Sequence, residues 1–221
     1  ATLFDVPQED RMKLVGWSDT IQNINDPEVF ETPEQGFQEL FECLAYFTEY
    51  YEARKQEPPK FDLISMLAHD ESTNNMTPQE LLGNIVLLIV GGNDTTRNSI
   101  SGGVLALNKN PDQYEKLLQN PGLIPKMGPE IIRWQTPLAH MARTALADTE
   151  LGGKQIKKGD RVAMWYISGN RDEDYIDQAD KFIIDRPNPR THTAFGYGVH
   201  RCVGNRLAEM QLRVMWEEIQ N

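Results

Sequence analysis

Apolar residues recur mostly every three or four positions along the chain, which is the spacing of one face of a helix. The pattern predicts helices at about residues 7–20, 37–54, 61–68, 77–107, 111–118, 124–134 and 203–219. Two shorter stretches, 141–146 and 161–167, have the character of strands. Turns are predicted between them at the glycine pair 152–153 and at residues 158–160. The sequence therefore predicts a mainly α protein with small β-sheets.

The helix predicted from residue 77 has the clearest start. Thr77 supplies an N-cap hydroxyl, Pro78 suits the first helical position, and Glu80 completes a capping box. At roughly 30 residues and about 1.5 Å per residue, such a helix crosses a whole domain. Because it is apolar on most sides over its first half, we expect that half to be buried at the centre of the fold.

Two adjacent glycines, Gly91 and Gly92, interrupt the apolar run of this helix and are followed by Asp94 and Thr95. Each glycine weakens a helix by roughly 1 kcal/mol relative to alanine. A buried acid beside a hydroxyl is costly unless both groups are satisfied or used. A solvated helix face that begins at Asn93 would explain the same residues, and the motif taken alone favours that interpretation.

Composition and charge exclude several classes of protein. The 221 residues, 39% of them apolar, suit one globular domain or a large piece of one, and the net charge of −11 argues against nucleic-acid binding. The longest apolar run, residues 85–90, is far shorter than the about 20 residues that span a bilayer. Two cysteines, Cys43 and Cys202, make a poor disulfide framework, and the first residues have no basic n-region of a secretion signal. These features predict a soluble cytoplasmic protein without a membrane span.

Cys202 is the residue with the most specific surroundings. It comes just before the last predicted helix and follows a loop with Gly196 and Gly198, which allow positive φ angles. Loop N–H groups and the positive end of the helix would stabilise a thiolate there. A buried, inert cysteine is the plain alternative. A nucleophile paired with His200 is another, although the sequence shows neither an oxyanion hole nor an orienting group for it.

The motif F-G-x-G-x-H-x-C-x-G at residues 195–204 resembles the haem-ligand loop of the cytochrome P-450 superfamily at every fixed position. The resemblance implies that Cys202 is the proximal ligand of haem b, and thiolate ligation favours O–O cleavage. It also implies that Phe195 and Gly196 lie beside the porphyrin and that His200 binds a haem propionate.

Two further motifs gain a role from the same resemblance. Asp94 and Thr95 resemble the acid–alcohol pair that relays protons to bound dioxygen in this superfamily. Arg143 resembles the strand arginine that pairs with a haem propionate. Taken alone, Arg143 could equally be an ordinary exposed strand residue.

Glu130 and Arg133 are three positions apart on a predicted helix, where their side chains meet. By itself this spacing usually marks a weak surface ion pair. In the superfamily it forms a buried structural network with a later arginine, best matched here by Arg186. The chain departs from the common pattern at Ile183, where the family often has an acid.

The resemblance covers residues 77 to the end closely and the first 76 residues more loosely. A cytochrome P-450 domain is about twice as long as this chain. The resemblance therefore implies that residues 1–221 are the C-terminal portion of a single haem-thiolate monooxygenase domain. It implies an incomplete fold that lacks the N-terminal half and the final β-hairpin.

Residues 130–137, 195–202 and 205–212 are most similar to the bacterial soluble terminal alkane hydroxylases, which oxidise medium-chain alkanes with O2 and electrons from a ferredoxin and its NADH-dependent reductase. The positions expected to face the substrate are Leu87, Val90, Gly91, Leu138, Ala139 and Met141. A fatty acid or a terpene would suit an equally apolar pocket. A haem sensor or electron carrier is the interpretation from a different class, and the acid–alcohol pair argues against it.

The charge is unevenly spread near Cys202. Six basic residues against two acidic ones lie between Lys181 and Arg213 in an otherwise acidic chain. This local excess predicts a docking surface for an acidic partner such as a ferredoxin, with Arg201 and Arg206 as its best candidates. The alternative is that several of these arginines are buried structural partners.

Overall fold

The computed structural model describes residues 1–220 and is mainly helical, as predicted. The α-helices of this described part are α1 Arg11–Asn23, α2 Pro33–Lys55, α3 Leu63–His69, α4 Pro78–Lys109, α5 Pro111–Gln119, α6 Ile124–Gln135, α7 Tyr166–Gly169 and α8 Asn205–Gln220. Short 3-10 helices lie at Thr2–Phe4, Gln8–Asp10, Pro121–Leu123 and Gly198–His200.

Two small antiparallel sheets connect α6 to α7. Strand β1, Met141–Thr144, pairs with β4, Arg161–Met164. Strands β2, Thr149–Leu151, and β3, Lys154–Ile156, form a hairpin through the predicted glycine turn. The hairpin strands themselves were not expected, because three-residue polar strands leave no apolar pattern. The predicted strand at 161–167 is wrong beyond residue 164, where the chain turns into α7.

Helix α2 begins earlier than its apolar pattern suggests. Pro33 occupies its first turn, and Gly36, just before the predicted start of the helix, is buried inside it. A Cβ added at Gly36 would come within 2.8 Å of Ile24 Cγ1. The glycine is therefore needed for the close approach of Ile24, and it does not end the helix.

Helix α4 is 32 residues long and starts at the predicted capping box. The Thr77 N–H donates to Glu80 Oε2 over 2.8 Å, and the Glu80 N–H donates to Thr77 Oγ1 over 3.3 Å. The expectation of burial on most sides is wrong for one face. Leu81, Ile85 and Ile89 are buried, whereas Leu87 is 71% exposed.

The chain divides into two compact units, residues 1–94 and residues from 95 onward. The first unit contains α1 to α3 and the beginning of α4. Its core is aromatic: the Phe47 ring lies 5.5 Å from Phe4, 5.8 Å from Trp17 and 5.3 Å from Tyr46, between centroids. Such ring contacts add about 1 kcal/mol each to the burial of apolar area.

The second unit is built around α6 and α8, which pack on each other and on the end of α4. Gly103 lies at this contact, where an added Cβ would approach Ile131 Cδ1 to 2.8 Å and the Trp216 ring to 3.1 Å. This core supports the loop that carries Cys202.

No helix within residues 1–220 combines the length and the apolar character that a bilayer span requires. Both cysteines are free thiols; Cys43 is buried and Cys202 is exposed.

Candidate functional site

The loop that precedes α8 holds Cys202 in a fixed backbone arrangement. Gly196 and Gly198 have φ angles of 66° and 72°, in the region that favours glycine. The Cys202 N–H donates to the Phe195 carbonyl over 2.9 Å, which closes the loop. The thiol is exposed. The two glycines therefore shape a loop that leaves the sulfur exposed, three residues before α8 begins.

A cavity of about 440 Å³ lies beside this loop. Its lining residues are Arg143, Met164, Trp165, Tyr166, Gly169, Thr193, Tyr197, Gly198, Val199 and His200. The structure thus brings together the strand arginine and the loop histidine that the sequence singled out. Phe195, Gly196 and Cys202 belong to the same loop but are not among the lining residues.

The residues around Cys202 fit a large planar cofactor with an apolar face and anionic edge groups. Val199 and Val203 flank the thiol and are 95% and 93% exposed, which is unusual for valine unless something covers it. A Cβ added at Gly198 would meet nothing within 4 Å, so the protein leaves room there. Arg143 and His200 offer a cation and a hydrogen-bond donor for carboxylates.

His192 lies next to this loop and is 8% exposed. Its ring is tilted against Phe195, with 5.5 Å between centroids. Burial lowers the pKa of His192 to about 4, against the weaker opposing effect of nearby Glu209. The imidazole is therefore neutral at pH 7 and serves as a packing partner of Phe195.

Glu130, Arg133 and Arg186 form a buried ion network. Arg133 donates Nε–H and Nη2–H to the two oxygens of Glu130, each over 2.8 Å. Arg186 reaches the same carboxylate through Nε over 3.0 Å and Nη2 over 3.3 Å. At Ile183, where the family often has an acid, the backbone N–H donates to Glu130 over 2.9 Å.

Arg133 also bonds to the segment that leads to the cysteine loop. Its remaining N–H groups donate to the carbonyls of Asn170, Ala179 and Lys181 over 2.7, 2.9 and 2.8 Å. All five donors of the guanidinium are therefore satisfied inside the protein. The network ties α6 to residues 170–186.

Two residues near the loop were not singled out from the sequence. Asn170 is fully buried, donates to Thr136 Oγ1 over 2.8 Å and accepts from the Thr193 N–H over 2.6 Å. Tyr166 lines the cavity, and its hydroxyl would be 3.3 Å from a Cβ added at Gly196. Neither lies in a recognisable motif, so only the three-dimensional contacts reveal them.

Asp94 and Thr95 are consecutive in α4, which runs through the two glycines without a break. Asp94 is 6% exposed and accepts a hydrogen bond from Ser18 Oγ over 3.2 Å. Added Cβ atoms at Gly91 and Gly92 would meet nothing within 4 Å. The glycines are thus not required by packing among the described residues.

The six positions expected to face a substrate are largely accessible. Leu87, Leu138 and Met141 are 71%, 42% and 38% exposed. Gly91 is exposed, and Val90 and Ala139 are half-buried. Large apolar side chains are normally buried, so exposed ones at these positions are compatible with contact to an apolar molecule.

Of the basic residues near Cys202, several have structural partners. Arg186 belongs to the buried network, and Arg190 forms a bidentate pair with Glu209, from Nη2 to Oε2 over 2.7 Å and from Nε to Oε1 over 3.2 Å. Arg201 and Arg206 are exposed beside the cysteine. Fewer basic side chains are therefore available at the surface near Cys202 than the six counted between Lys181 and Arg213.

Comparisons with known proteins identify relatives of this chain. Residues 123–219 match the family model Cytochrome P450. The chain is 42% identical to linalool 8-monooxygenase of Pseudomonas putida and 40% identical to a steroid C26-monooxygenase of Rhodococcus jostii (strain RHA1), covering 93% and 99% of this chain and 50% and 45% of those proteins. The solved structure of cytochrome P450-153 from Novosphingobium aromaticivorans is 52% identical, with a TM-score of 0.91 over 100% of this chain and 53% of that one.

The fold, the cysteine loop and its flanking cavity fit a protein that binds a planar cofactor beside an exposed thiol. The chain belongs to the cytochrome P450 family, whose cofactor is haem b. It spans about half the length of the curated relatives that it matches.

Proposed function

We propose that this chain is the cofactor-binding part of a monooxygenase that hydroxylates the terminal carbon of medium-chain n-alkanes. The observation that carries the proposal is the exposed Cys202 thiol, in a loop shaped by Gly196 and Gly198, beside a cavity that contains Arg143 and His200. A haem bound by this thiolate would supply the activation of O2.

In this proposal each site residue has a separate task. Cys202 would be the iron ligand, with Phe195 and Gly196 packed at the porphyrin edge. Arg143 and His200 would bind the propionates, since both line one cavity. The Glu130 network would hold the loop rigid through residues 170–186.

Asp94 and Thr95 would pass protons from solvent to the oxygen that is being reduced. Asp94 takes up each proton and releases it again, so the carboxylate is unchanged after a turnover. Gly91 and Gly92 leave open space on the same helix, which would admit O2 or substrate.

The substrate class rests on the exposed apolar positions and on the similarity to terminal alkane hydroxylases at residues 130–137, 195–202 and 205–212. The relatives' names specify one carbon of linalool or of a steroid, which favours regioselective attack on an apolar molecule. An alkane has no polar group to bind, so the pocket has to select by shape alone.

The experiment that tests the substrate class uses the full-length enzyme that carries this segment. An n-alkane of medium length, the fatty acid of equal length and linalool are compared by binding spectra and by product analysis. We expect the alkane to give the 1-alcohol as its main product. Preferred turnover of the fatty acid or of linalool would overturn the alkane assignment and leave the monooxygenase class intact.

Substitution of Leu87 with phenylalanine is expected to move oxidation away from the chain end. A change of one methylene in an apolar pocket alters selectivity by about tenfold or more. Leu151→Phe is the matched control, because Leu151 on β2 is also exposed, at 67%, and lies outside the proposed pocket set. Equal product ratios in the two variants would remove Leu87 from the substrate site.

We further propose that electrons come from a ferredoxin and its NADH-dependent reductase, and that the ferredoxin docks at Arg201 and Arg206. Both are exposed and flank the cysteine. Arg206→Glu should slow reduction by ferredoxin about tenfold at low salt, because surface charges act mainly on the association rate.

The control for this charge reversal is Arg161→Glu, an exposed arginine on β4 with the same change of charge. Stopped-flow reduction is measured at low and high ionic strength, since salt at 0.15 M screens exposed charges beyond about 8 Å. The docking proposal fails if both variants are reduced as fast as the parent at low salt.

A further inference from the structure

Ser18 connects helix α1 to the acid of the proposed proton relay. Its side chain is fully buried, and its Oγ donates to Asp94 Oδ2 over 3.2 Å, 76 positions away in the sequence. Both residues belong to the first compact unit. Neither the sequence motif nor the relay itself requires a serine at this position.

The acceptor of this hydrogen bond is informative, because a hydroxyl in a helix can usually donate to a carbonyl of its own helix. Serine and threonine in helices commonly bond back to a carbonyl of the preceding turn. Ser99 does so to Thr95 O over 2.8 Å, and Ser101 does so to Arg97 O over 3.1 Å. The Ser18 hydroxyl instead donates to a carboxylate on another helix.

A hydroxyl bonded to a carboxylate holds the orientation of that carboxylate. Hydrogen bonds to charged acceptors are stronger than neutral ones, and a buried acid depends on them. Ser18 is itself locked in position by helix α1, because α1 packs against α2. The bond therefore restricts the rotation of the Asp94 side chain and fixes the orientation of its carboxylate.

We propose that Ser18 is a positioning residue for Asp94: its hydroxyl keeps the carboxylate in the orientation from which protons are delivered. This inference rests on the proposed function, in which Asp94 and Thr95 form the relay. Ser18 keeps its own proton throughout, so it acts through Asp94 and is not a member of the relay. Loss of the hydroxyl should uncouple electron consumption from product formation.

The test compares Ser18→Ala, Ser18→Thr and Thr20→Val in the full-length enzyme with its electron donors. Hydrogen peroxide released per NADH consumed and the solvent isotope effect on product formation are both measured. We expect Ser18→Ala to form product about tenfold more slowly with more peroxide, which corresponds to about 1.4 kcal/mol. Ser18→Thr, which keeps a hydroxyl, should restore coupling.

Thr20→Val is the matched control, because it removes another buried hydroxyl of the same helix, one that donates to the Gly16 carbonyl and the Glu39 carboxylate and not to Asp94. It should stay coupled like the parent. Ser18→Cys keeps the side-chain volume with a weaker donor and decides the question if Ser18→Ala does not fold. An isotope effect that changes in Ser18→Ala alone supports positioning over a general loss of stability.

Asp94→Asn separates the failure of this inference from the failure of the relay. If Asp94→Asn is uncoupled while Ser18→Ala and Ser18→Cys remain coupled, Ser18 has no positioning role and the relay stands. If Asp94→Asn itself stays coupled, the relay and the inference both fail. If the double variant Ser18→Ala/Asp94→Asn releases no more peroxide per NADH than Asp94→Asn alone, the two residues act in one step, as proposed.

Discussion

Replacement of Cys202 with serine is expected to abolish the red-shifted Soret band of the reduced carbon monoxide complex in the full-length enzyme. That band reports thiolate ligation, and a hydroxyl is a far weaker electron donor to iron than a thiolate. The loop geometry should survive, because the bond that closes it joins the backbone N–H of residue 202 to the Phe195 carbonyl. We therefore expect the Cys202→Ser variant to lose the red-shifted band and its activity while it remains folded.

Cys43→Ser is the internal control for this experiment. Cys43 is fully buried in the first unit, and burial raises the pKa of its thiol to about 12. It should resist alkylation with or without cofactor, whereas exposed Cys202 should be labelled only when no cofactor is bound. A serine variant at 202 that kept the red-shifted band would refute the assignment of the iron ligand.

Substitution of Glu130 with glutamine should destabilise the protein by about 3–5 kcal/mol, the usual cost of removing one partner from a buried ion pair. The variant would leave Arg133 and Arg186 buried side by side without their shared anion. Their other donors bind carbonyls from residue 170 to residue 181, so the whole segment before the cysteine loop should loosen. Denaturant unfolding and retention of haem measure the two consequences.

Asp185→Asn is the matched comparison, because it breaks a pair with Lys116 in which both side chains are about two-fifths exposed. Exposed pairs contribute 1 kcal/mol or less, so this variant should unfold almost like the parent. Equal losses in Glu130→Gln and Asp185→Asn would mean that the buried network is no more important than a surface ion pair.

The cysteine loop could be predicted from the sequence because its chemistry depends on residues that are close together in the chain. Two glycines with positive φ, the cysteine and the first residue of the helix that follows all lie within residues 196–205. The capping box of α4 was predictable for the same reason, since Thr77 and Glu80 are three positions apart. In both cases backbone geometry alone relates the pattern to the structure.

Contacts between distant residues were only partly accessible. The pairing of Glu130 with Arg133 follows from helical spacing, and Arg186 was matched by resemblance. The carbonyls that satisfy the rest of Arg133 were not predictable, because every residue carries a carbonyl and no side-chain pattern marks which ones face inward. The same holds for the bond from Ser18 to Asp94, since serine is common in helices and usually bonds within its own turn.

The sequence by itself determined the helical character of this protein, the start of its long helix and the loop that carries Cys202. These features depend on local spacing, capping and glycine conformation. The tertiary structure decided which side of α4 is exposed, which arginines near Cys202 are paired, and how Arg143 and His200 come to line one cavity. Those outcomes depend on which elements pack against each other, and burial is a property of that packing and not of any single segment.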